Sequence, residues 1–419
     1  MTADHAALQS ALAASAQAAV ALAAAPRGAR DAALAALAAS LEAEAPALLA
    51  ANQADVEQAR REGLSEVLVD RLALNPARLA QLAAGVRAAA ALPDPLGRLE
   101  DCATLPDGLE VGRLRIPLGL IAFICEARPG AAAEAAALAV KSGNALLVKT
   151  GREAARSAEA LAPLMARSLE TAGLPAEAVR LLPRLTREEL QFLLTQDELV
   201  DLVVPRGGEA LIRFVAESSR IPTLKHYKGV CHLYVDQGAD LDMAAELAVD
   251  GKCSRPGVCN ALECLLVADS EAEAFLALAG PRLTARGVEL RACPRTRPLL
   301  PGARPAAPDD FGREFLDLRL AVKAVADLDA ALDHIRAHGS RHTESICTRD
   351  LERARRFQRL ADAGCVLVNA STRLNDGGCL GLGAEMGIST TKLHAYGPMG
   401  LRELTTTKFV VVGQGHLRQ

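Results

Sequence analysis

Short runs of consecutive apolar residues alternate with helix-length segments along much of this chain. Such runs occupy 118–124, 145–149, 179–183 and 199–204, and each is followed by a segment long enough for a helix. A continuous apolar run, unlike a strand with alternating polar residues, predicts a strand that is buried on both faces. Helices that connect such strands make right-handed crossovers and a parallel sheet. The pattern therefore predicts an α/β fold with a doubly covered sheet.

A second α/β unit follows the first. Its predicted strands lie at 230–235, 262–268, 288–292, 318–324, 344–348 and 364–369, again with helical segments between them. Before the first unit, residues 1–90 are rich in Ala and Leu and predict helices. The runs VGRLRI and LGLIAFI, within 111–124, predict a hairpin that enters the sheet, and 408–413 predicts a late, isolated strand.

Composition excludes several classes of protein. The 419 residues carry a net charge of −4, so the chain lacks the bulk positive charge typical of nucleic-acid binding. The apolar segment 11–25 follows a leader without basic residues, which favours an N-terminal helix over a signal peptide, and we expect no membrane span. Ten cysteines show neither a CxxC pair nor zinc-like spacing. We therefore expect reduced thiols, no metal and a cytoplasmic protein.

Cys259 is the strongest candidate nucleophile by its context. It follows the Pro256-Gly257 pair, which enforces a loop, and it precedes a predicted buried strand. A thiolate presented at the start of a strand can attack an activated carbonyl and hold the acyl group as a thioester. The alternative is that Cys259 is one more small apolar core residue, and composition alone does not decide between the two.

Glycines and cations follow the strands of the first unit. Gly207 and Gly208 open a helix after a strand, where backbone N–H groups can bind a phosphate, although a plain tight turn fits equally well. Lys149 and Arg152 flank the end of another strand and are either ligand contacts or solvated charges. Arg128 precedes a proline at the end of a third strand, and this position indicates a functional rather than a structural role.

Two further patterns predict structure rather than chemistry. The segment Gly381–Gly387 resembles a dinucleotide fingerprint, but Met386 replaces its third glycine and no strand precedes it, so we expect a tight loop. His226, His232 and His394 show no ligand spacing, and we expect each to be structural or on the surface.

Ordered motifs from about residue 50 to 410 together resemble the gamma-glutamyl phosphate reductase family, a branch of the aldehyde dehydrogenase fold. They are Gly63-Leu64-Ser65-Glu66, Asp70-Arg71-Leu72, Glu126-Ala127-Arg128-Pro129, Val204-Pro205-Arg206-Gly207-Gly208, Arg255-Pro256-Gly257-Val258-Cys259-Asn260, Asn369-Ala370-Ser371-Thr372-Arg373, Gly381-Leu382-Gly383-Ala384-Glu385 and His394-Ala395-Tyr396-Gly397-Pro398-Met399-Gly400-Leu401.

The resemblance implies a Rossmann-type domain for NADP over 1–229, with a hairpin near 100–117. It further implies a catalytic domain over 230–370, and a return segment with an oligomerisation strand over 371–419. Cys259 falls on the nucleophile of the family.

The resemblance also implies roles around the cofactor and the substrate. Lys149 contacts the adenine ribose, Arg152 suits the 2′-phosphate of NADPH, and Glu314 positions the nicotinamide ribose. Arg128 takes the place of an oxyanion-binding asparagine, and either Arg128 or Asn260 supports the oxyanion beside backbone N–H groups. Arg128 and Arg373 are the candidate cations for the departing phosphate.

The chain departs from the pattern of its relatives at two places. Hydrolytic relatives carry a general-base glutamate where this chain has Lys225-His226-Tyr227-Lys228-Gly229, which suits an enzyme that must keep its thioester from water. Cys125 and Gly130 stand where the family is expected to have Tyr and Asn, at the end of the strand that leads to the site.

The expected reaction is NADPH-dependent reduction of L-glutamyl 5-phosphate to L-glutamate 5-semialdehyde and phosphate, a step of proline biosynthesis. The alternatives are a cysteine acyltransferase or hydrolase, which needs a histidine partner, and an inactive α/β scaffold. We expect at least a homodimer, because 408–413 would leave an unpaired strand edge. We also expect the glutamate 5-kinase to be a separate chain, since 419 residues leave no room for a second catalytic module.

Overall fold

The computed structural model describes residues 3–126 and 128–418, apart from the side chains of Ala3 and Val67. Ala127, within the motif Glu126–Pro129, therefore lies outside the described residues. Contacts divide the chain into two compact units. The first unit runs to Lys225 and includes Leu382–Gly387 and the chain from Met399 onward. The second unit holds His226–Gly381 and Ile388–Pro398, so that residues 371–419 contribute to both units.

Of the helices of the described residues, nine lie in the first unit and four in the second. They are α1 Ala3–Ala24, α2 Arg27–Ala43, α3 Ala45–Arg61, α4 Glu66–Leu72, α5 Pro76–Ala91, α6 Pro129–Lys141, α7 Ala155–Thr171, α8 Arg187–Leu193, α9 Glu209–Ser218, α10 Leu241–Cys253, α11 Ala272–Thr284, α12 Leu328–His338 and α13 Leu351–Leu360.

The strands are short, as expected for βα repeats. They are β1 Leu99–Thr104, β2 Glu110–Pro117, β3 Leu120–Cys125, β4 Ala145–Lys149, β5 Val179–Leu181, β6 Leu202–Arg206, β7 Cys231–Val235, β8 Leu262–Ala268, β9 Glu289–Ala292, β10 Arg304–Pro305, β11 Arg319–Val325, β12 Thr343–Cys347, β13 Cys365–Val368, β14 Ile388–Ser389, β15 Gly397–Pro398 and β16 Thr405–Val412.

The first unit contains a parallel sheet in the order β5-β4-β3-β6. Every residue of β3 is buried, which fits its continuous apolar sequence. The chain passes from β3 outward to β5 and then returns to the other side of β3 to form β6. The strand order therefore reverses between β3 and β6, and ligands of open α/β sheets bind at the carboxyl edge of such a switch point.

Helix α1 is the most apolar helix of the first unit. The segment Asp4–Ala24 is long and apolar enough to cross a membrane by length and composition, contrary to our expectation that no segment would be. A helix that packs on a protein core passes the same criterion, and a third of this segment is buried within the protein. Leu8, Leu12 and Leu22, spaced for one helix face, are among its buried residues.

The predicted hairpin between VGRLRI and LGLIAFI is wrong. Strand β2 pairs with β1 and β16 in a separate antiparallel sheet, whereas β3 pairs with β4 and β6. Gly119 lies between β2 and β3 with φ +130°, a backbone conformation that favours glycine. The hairpin does not form because β3 is apolar along its whole length and needs cover on both faces, which a surface hairpin does not provide. The segment 100–117 does form a hairpin, through β1 and β2.

Strand β16 also has a partner that the sequence did not suggest. All eight of its residues, from Thr405 to Val412, pair antiparallel with β2 of the same chain. The expectation that 408–413 has no partner in its own chain is therefore wrong.

The second unit is built on a parallel sheet in the order β10-β9-β11-β8-β7-β12-β13. One face packs residues such as Leu265, Val267 and Phe275, and the other face packs Tyr234 and Ile346. Strands β8, β7 and β12 are neighbours and parallel, so the loops that precede them meet at one edge of the sheet. The candidate active site lies at this edge.

Candidate active site

Cys259 lies in the loop between α10 and β8, as the Pro-Gly pair predicts. Its side chain is half-buried. Its carbonyl oxygen accepts a hydrogen bond from Cys231 Sγ, at 3.2 Å, and packs against Gly229. The thiol is therefore held on a backbone that is fixed from the neighbouring strand, and all ten cysteines of the chain are free of disulfides.

Two histidines adjoin this thiol and form with it what we call the thiol–imidazole cluster: Cys259, His226 and His342. The sulfur and one ring nitrogen of each histidine all lie within 4.8 Å of one another. His226 precedes β7, Cys259 precedes β8 and His342 precedes β12, so the parallel register of three adjacent strands brings the cluster together. The structure thus places His226 in the site, and not on an unrelated surface.

Hydrogen bonds outside the cluster fix both rings. His226 Nδ1 lies 2.7 Å from the carbonyl oxygen of Ile388, and His342 Nδ1 lies 2.7 Å from Thr343 Oγ1. The two rings meet edge to face, with centroids 5.2 Å apart. His342 is fully buried, and its Nε2 makes no hydrogen bond to nitrogen or oxygen among the described residues.

The cluster favours ionisation of the thiol. Burial by itself raises the pKa of Cys259, but the charges and hydrogen bonds of His342 and His226 outweigh it and hold the pKa well below its ordinary value. Cys231 behaves in the opposite way, because burial raises the pKa of its thiol well above the ordinary value. Of these two neighbouring cysteines, Cys259 is the one that can act as a nucleophile at neutral pH.

Glu314 faces the cluster from the loop before β11. Its Oε1 accepts the Gly229 N–H at 2.9 Å. Burial raises the pKa of this carboxyl, and the negative charge of Cys259 raises it further. The loop is fixed two residues later, where Leu316 N donates to Glu263 Oε1 at 3.1 Å and Glu263 pairs with the buried Lys252 at 2.6 Å.

Asn260 is 4% exposed and its amide is used within the protein. Its Nδ2 donates to the carbonyl oxygen of Asn375 at 2.9 Å, and its Oδ1 accepts a hydrogen bond from the Arg373 guanidinium. Arg373 Nε also donates to Ser254 Oγ at 3.3 Å. The structure therefore places a guanidinium next to the residue that follows Cys259.

The other predicted residues lie in the first unit, at the carboxyl edge of its sheet. Lys149 ends β4, and it is followed by Thr150, whose hydroxyl is buried and has no hydrogen-bond partner within the described part of the chain. The Arg152 side chain is 92% exposed, and the ion pair that it forms, with Glu62, is loose at 4.0 Å. Two cations and an unsatisfied hydroxyl thus follow one strand.

Gly207 and Gly208 follow β6, at the switch point of the sheet. The Gly208 N–H donates to Glu126 Oε2 at 2.9 Å, at the start of α9. A Cβ on Gly207 would lie 2.6 Å from the carboxyl carbon of Glu126, so a glycine is required for this approach. A carboxylate of the protein itself therefore occupies the anion position at this helix start.

Arg128 is exposed at the start of α6, also at this edge. Cys125, at the end of β3, is buried, and burial raises the pKa of its thiol to about 12 in spite of the nearby charges of Lys149, Arg128 and Arg206. Cys125, where the family is expected to have Tyr, is thus a neutral thiol beside three cations. Gly130 lies within α6, with open space at its Cβ position.

Sequence reasoning missed the partners of the cysteine. His342 received no attention, and His226 was expected to be structural or on the surface. The signal that could have identified them is topological, since each precedes a predicted strand of the second unit, as Cys259 does.

Comparison with known proteins gives consistent results. A family model of the aldehyde dehydrogenase family matches residues 1–289. A gamma-glutamyl phosphate reductase of Thermus thermophilus is 56% identical over 392 residues, which cover 94% of this chain and 95% of that protein. That of Sorangium cellulosum is 54% identical over 406 residues, 96% of this chain and 95% of that protein. The crystal structure of the gamma-glutamyl phosphate reductase of Thermotoga maritima matches with a TM-score of 0.96 at 40% identity, over 98% of this chain and 100% of that one.

Proposed function

The chain belongs to the gamma-glutamyl phosphate reductase family, a branch of the aldehyde dehydrogenase family, and we propose that it reduces L-glutamyl 5-phosphate to L-glutamate 5-semialdehyde with release of phosphate. The predicted fold and family resemblance are confirmed by these comparisons. The names of the relatives support the substrate, and the reaction would be a step of proline biosynthesis.

The observation that carries this proposal is the thiol–imidazole cluster. Two imidazoles hold the pKa of Cys259 well below its ordinary value, against the effect of burial, and this favours the thiolate form. A thiolate attacks an acyl phosphate readily, since phosphate is a good leaving group. A scaffold protein without catalytic activity does not require a thiol with a lowered pKa.

The acylation step assigns a role to each neighbour of the thiol. Cys259 attacks the 5-carbonyl carbon, and backbone N–H groups near it support the oxyanion. The side-chain N–H of Asn260 donates to a backbone carbonyl, and its oxygen accepts a hydrogen bond from Arg373. We infer that Asn260 positions this guanidinium and does not bind the oxyanion. Arg373 binds the departing phosphate, and Arg128 remains a second candidate cation for it.

The residues at the carboxyl edge of the first sheet fit an NADP-type cofactor. The cations of Lys149 and Arg152, with the unpartnered hydroxyl of Thr150, form a donor set suited to a phosphorylated ribose. The Gly208 N–H at the start of α9 is a donor that suits a diphosphate, provided that the Glu126 carboxylate, which accepts it in this structure, moves away when the cofactor binds. NADPH, when bound, supplies the hydride that reduces the thioester.

Glu314 completes the proposed assignments. Gly229 fixes its carboxyl by a hydrogen bond, and we infer that it accepts a ribose hydroxyl of the cofactor, as the resemblance implies. The segment Lys225–Gly229 contains no carboxylate that could activate water against the thioester.

One rival function gains support from the structure. A cysteine hydrolase or acyltransferase needs a histidine beside its thiol, and His226 and His342 provide two. It would turn over without a nicotinamide cofactor, whereas the proposed reductase would not.

Oxidation of glutamate 5-semialdehyde by NADP⁺ in the presence of phosphate tests the proposal and its rival. We expect NADPH formation that requires phosphate and is lost in Cys259→Ser. Hydrolysis of an acyl phosphate without cofactor, at a rate equal to or above the reductive rate, would support the hydrolase and contradict the proposal.

The proposed reaction also defines partners. A kinase that phosphorylates the side-chain carboxylate of glutamate must supply the substrate, and we propose that it is a separate chain. The homo-oligomer and the cytoplasmic location stay predictions, and the open edge of β16 supports the first of them.

A further inference from the structure

An acyl phosphate carries two negative charges at neutral pH, so its phosphate is a good leaving group when the bridging oxygen takes up a proton and it leaves as hydrogen phosphate. The Cys259 thiol must give up a proton to become the thiolate that attacks. A group that moves one proton between these two atoms would satisfy both requirements. The described residues offer two candidates beside the thiol, His226 and His342.

We propose that His226 carries this proton: its Nε2 takes the proton of the Cys259 thiol and delivers it to the bridging oxygen of the departing phosphate, while His342 stays neutral and donates a hydrogen bond to the thiolate. This inference rests on the proposed function, and it assigns the acid–base group of the same site.

The tautomer of His226 follows from its partner. Its Nδ1 lies 2.7 Å from the carbonyl oxygen of Ile388, and a carbonyl oxygen only accepts. Nδ1 therefore carries a hydrogen in both the neutral and the charged ring, and Nε2 is the basic nitrogen. The Ile388 carbonyl also stabilises the imidazolium, since it opposes the positive charge on the ring.

His342 is constrained to the opposite tautomer. Its Nδ1 lies 2.7 Å from Thr343 Oγ1, and this hydroxyl already accepts a hydrogen bond from Asn375 Nδ2 at 2.7 Å. The Thr343 hydroxyl can then donate its own hydrogen to Nδ1, whose other neighbour, Cys231 Sγ at 3.7 Å, donates to the Cys259 carbonyl oxygen; we infer that the ring hydrogen is on Nε2. Nε2 is buried without a nitrogen or oxygen partner, so the thiolate of Cys259 is the acceptor that remains for it.

Other ionisable groups face the cluster and must be counted in any pH profile. Glu314 approaches from the loop before β11, and its negative charge stabilises a positive charge on His226. Cys231, on β7, keeps its proton because burial raises its pKa. Glu344, on β12, is fully buried, and its Oε2 lies 2.9 Å from Nδ1 of His232.

The step balances in atoms and charge. The bond from Cys259 Sγ to the acyl carbon forms, and the bond from that carbon to the bridging phosphate oxygen breaks. The thiol proton passes to His226 Nε2 and then to this oxygen, so hydrogen phosphate leaves. When the aldehyde is released, Cys259 departs as a thiolate and takes one proton from solvent through His226, which is the proton that the overall reduction consumes.

His226→Asn is the decisive variant, because the Asn side-chain amide can keep the hydrogen bond to Ile388 but offers no basic nitrogen. His342→Gln keeps a donor in place of Nε2, and His394→Gln is an exposed control in the same unit. The first readout needs no cofactor: the rate at which iodoacetamide alkylates Cys259, followed by peptide mass spectrometry from pH 5 to pH 10. We expect the midpoint of this rate to move to higher pH in His226→Asn, by more than in His342→Gln, and to stay in place in His394→Gln.

The second readout compares two acyl donors in single-turnover acylation of Cys259, acetyl phosphate and 4-nitrophenyl acetate. Nitrophenolate leaves without a proton, so His226→Asn should lose about 100-fold or more with acetyl phosphate and clearly less with the ester at pH 9, where the thiolate forms unaided. Equal losses with both donors, or an unchanged alkylation midpoint in a variant with unchanged thermal melting, would overturn the role of His226. Failure of wild-type protein to acylate with acyl phosphate would instead contradict the proposed function.

Discussion

The carbonyl oxygen of Cys259 lies so close to Gly229 that a Cβ on this glycine would be 1.9 Å from it. Gly229 also donates its N–H to Glu314 Oε1 at 2.9 Å. One residue without a side chain therefore fixes the backbone of the proposed nucleophile and the carboxylate that faces it. No alternative side chain fits between β7 and the Cys259 loop without moving that loop.

Gly229→Ala should therefore displace Cys259 while the sheet stays folded. A shift of about 1 Å at a reacting atom can cost about 100-fold in rate, and we expect kcat/KM to fall by at least about that factor. Steady-state kinetics with thermal melting measure the two effects. Gly85→Ala, in a helix with open space at its Cβ position, is the matched control and should keep full activity. A Gly229→Ala enzyme of wild-type activity would show that the contact does not position the thiol.

Cys259→Ser should abolish turnover and leave the binding of NADPH near normal. A hydroxyl has a far higher pKa than a thiol, so the two imidazoles cannot produce an alkoxide, and the rate should fall by several orders of magnitude. Cys253→Ser is the control, since burial raises the pKa of Cys253 and keeps it a thiol. More than a few per cent of residual activity in Cys259→Ser, measured in the phosphate-dependent assay, would place the nucleophile elsewhere.

The sequence predicted the strands of both parallel sheets, apart from the two-residue β10, because continuous apolar runs have one stable environment, the interior of a doubly covered sheet. Strands 145–149 and 262–268 agree with β4 and β8 residue for residue. The pairing of β2 was mispredicted because its main partner is far away in the sequence. Arg115 of β2 donates a hydrogen bond to Thr405, 290 residues further on, and a local pattern carries no information about such a partner.

The candidate site was predicted only where a local motif marks it. Cys259 stands in a Pro-Gly loop and could be selected from sequence, but His226 and His342 are recognisable only from the order of strands in the sheet. The hydrogen bonds that occupy the amide of Asn260 are likewise tertiary, since they reach Arg373 and Asn375. A residue name and its spacing did not reveal that this amide is already satisfied.

Arg152→Glu should shift the preference of the enzyme from NADPH toward NADH. The new carboxylate repels a 2′-phosphate and can accept a hydrogen bond from a free ribose hydroxyl. The ratio of kcat/KM for the two cofactors measures the effect, and Arg156→Glu, which reverses a charge one helical turn further along, serves as the control. An unchanged ratio in Arg152→Glu would mean that this exposed side chain binds only solvent.

His334 should make the protein sensitive to acid. Burial, helped by the nearby charges of His232 and Lys323, lowers the pKa of His334 to about 2, so the ring stays neutral in the folded protein. In the unfolded chain it titrates near 6.5, which means that the unfolded state binds the extra proton below that pH. The free energy of unfolding should therefore fall as pH decreases from 6.5, by up to about 1.4 kcal/mol per pH unit from this group.

Urea unfolding of wild type and His334→Gln between pH 5 and pH 6.5 isolates this contribution. The variant should show a smaller slope of unfolding free energy against pH, and His394→Gln, which removes an exposed histidine, should leave the slope unchanged. Identical slopes in wild type and His334→Gln would contradict a neutral, buried ring.

Strand β16 should form part of a subunit interface. It pairs with β2 along one edge, and within the described residues its other edge has no strand partner, while Phe409 and Val411 on one face are 68% and 53% exposed. An apolar strand with an open edge is a pairing site for another chain, so a monomer would carry it at the risk of aggregation.

Deletion of the strand would also disturb β2. The double variant Phe409→Asp, Val411→Asp is therefore the better test, because both side chains point away from the core. Light scattering should give a multiple of the chain mass for wild type and for the control Lys408→Asp, and a smaller mass for the double variant with unchanged melting. A wild-type mass equal to one chain, or a double variant of unchanged mass, would show that this edge does not join subunits.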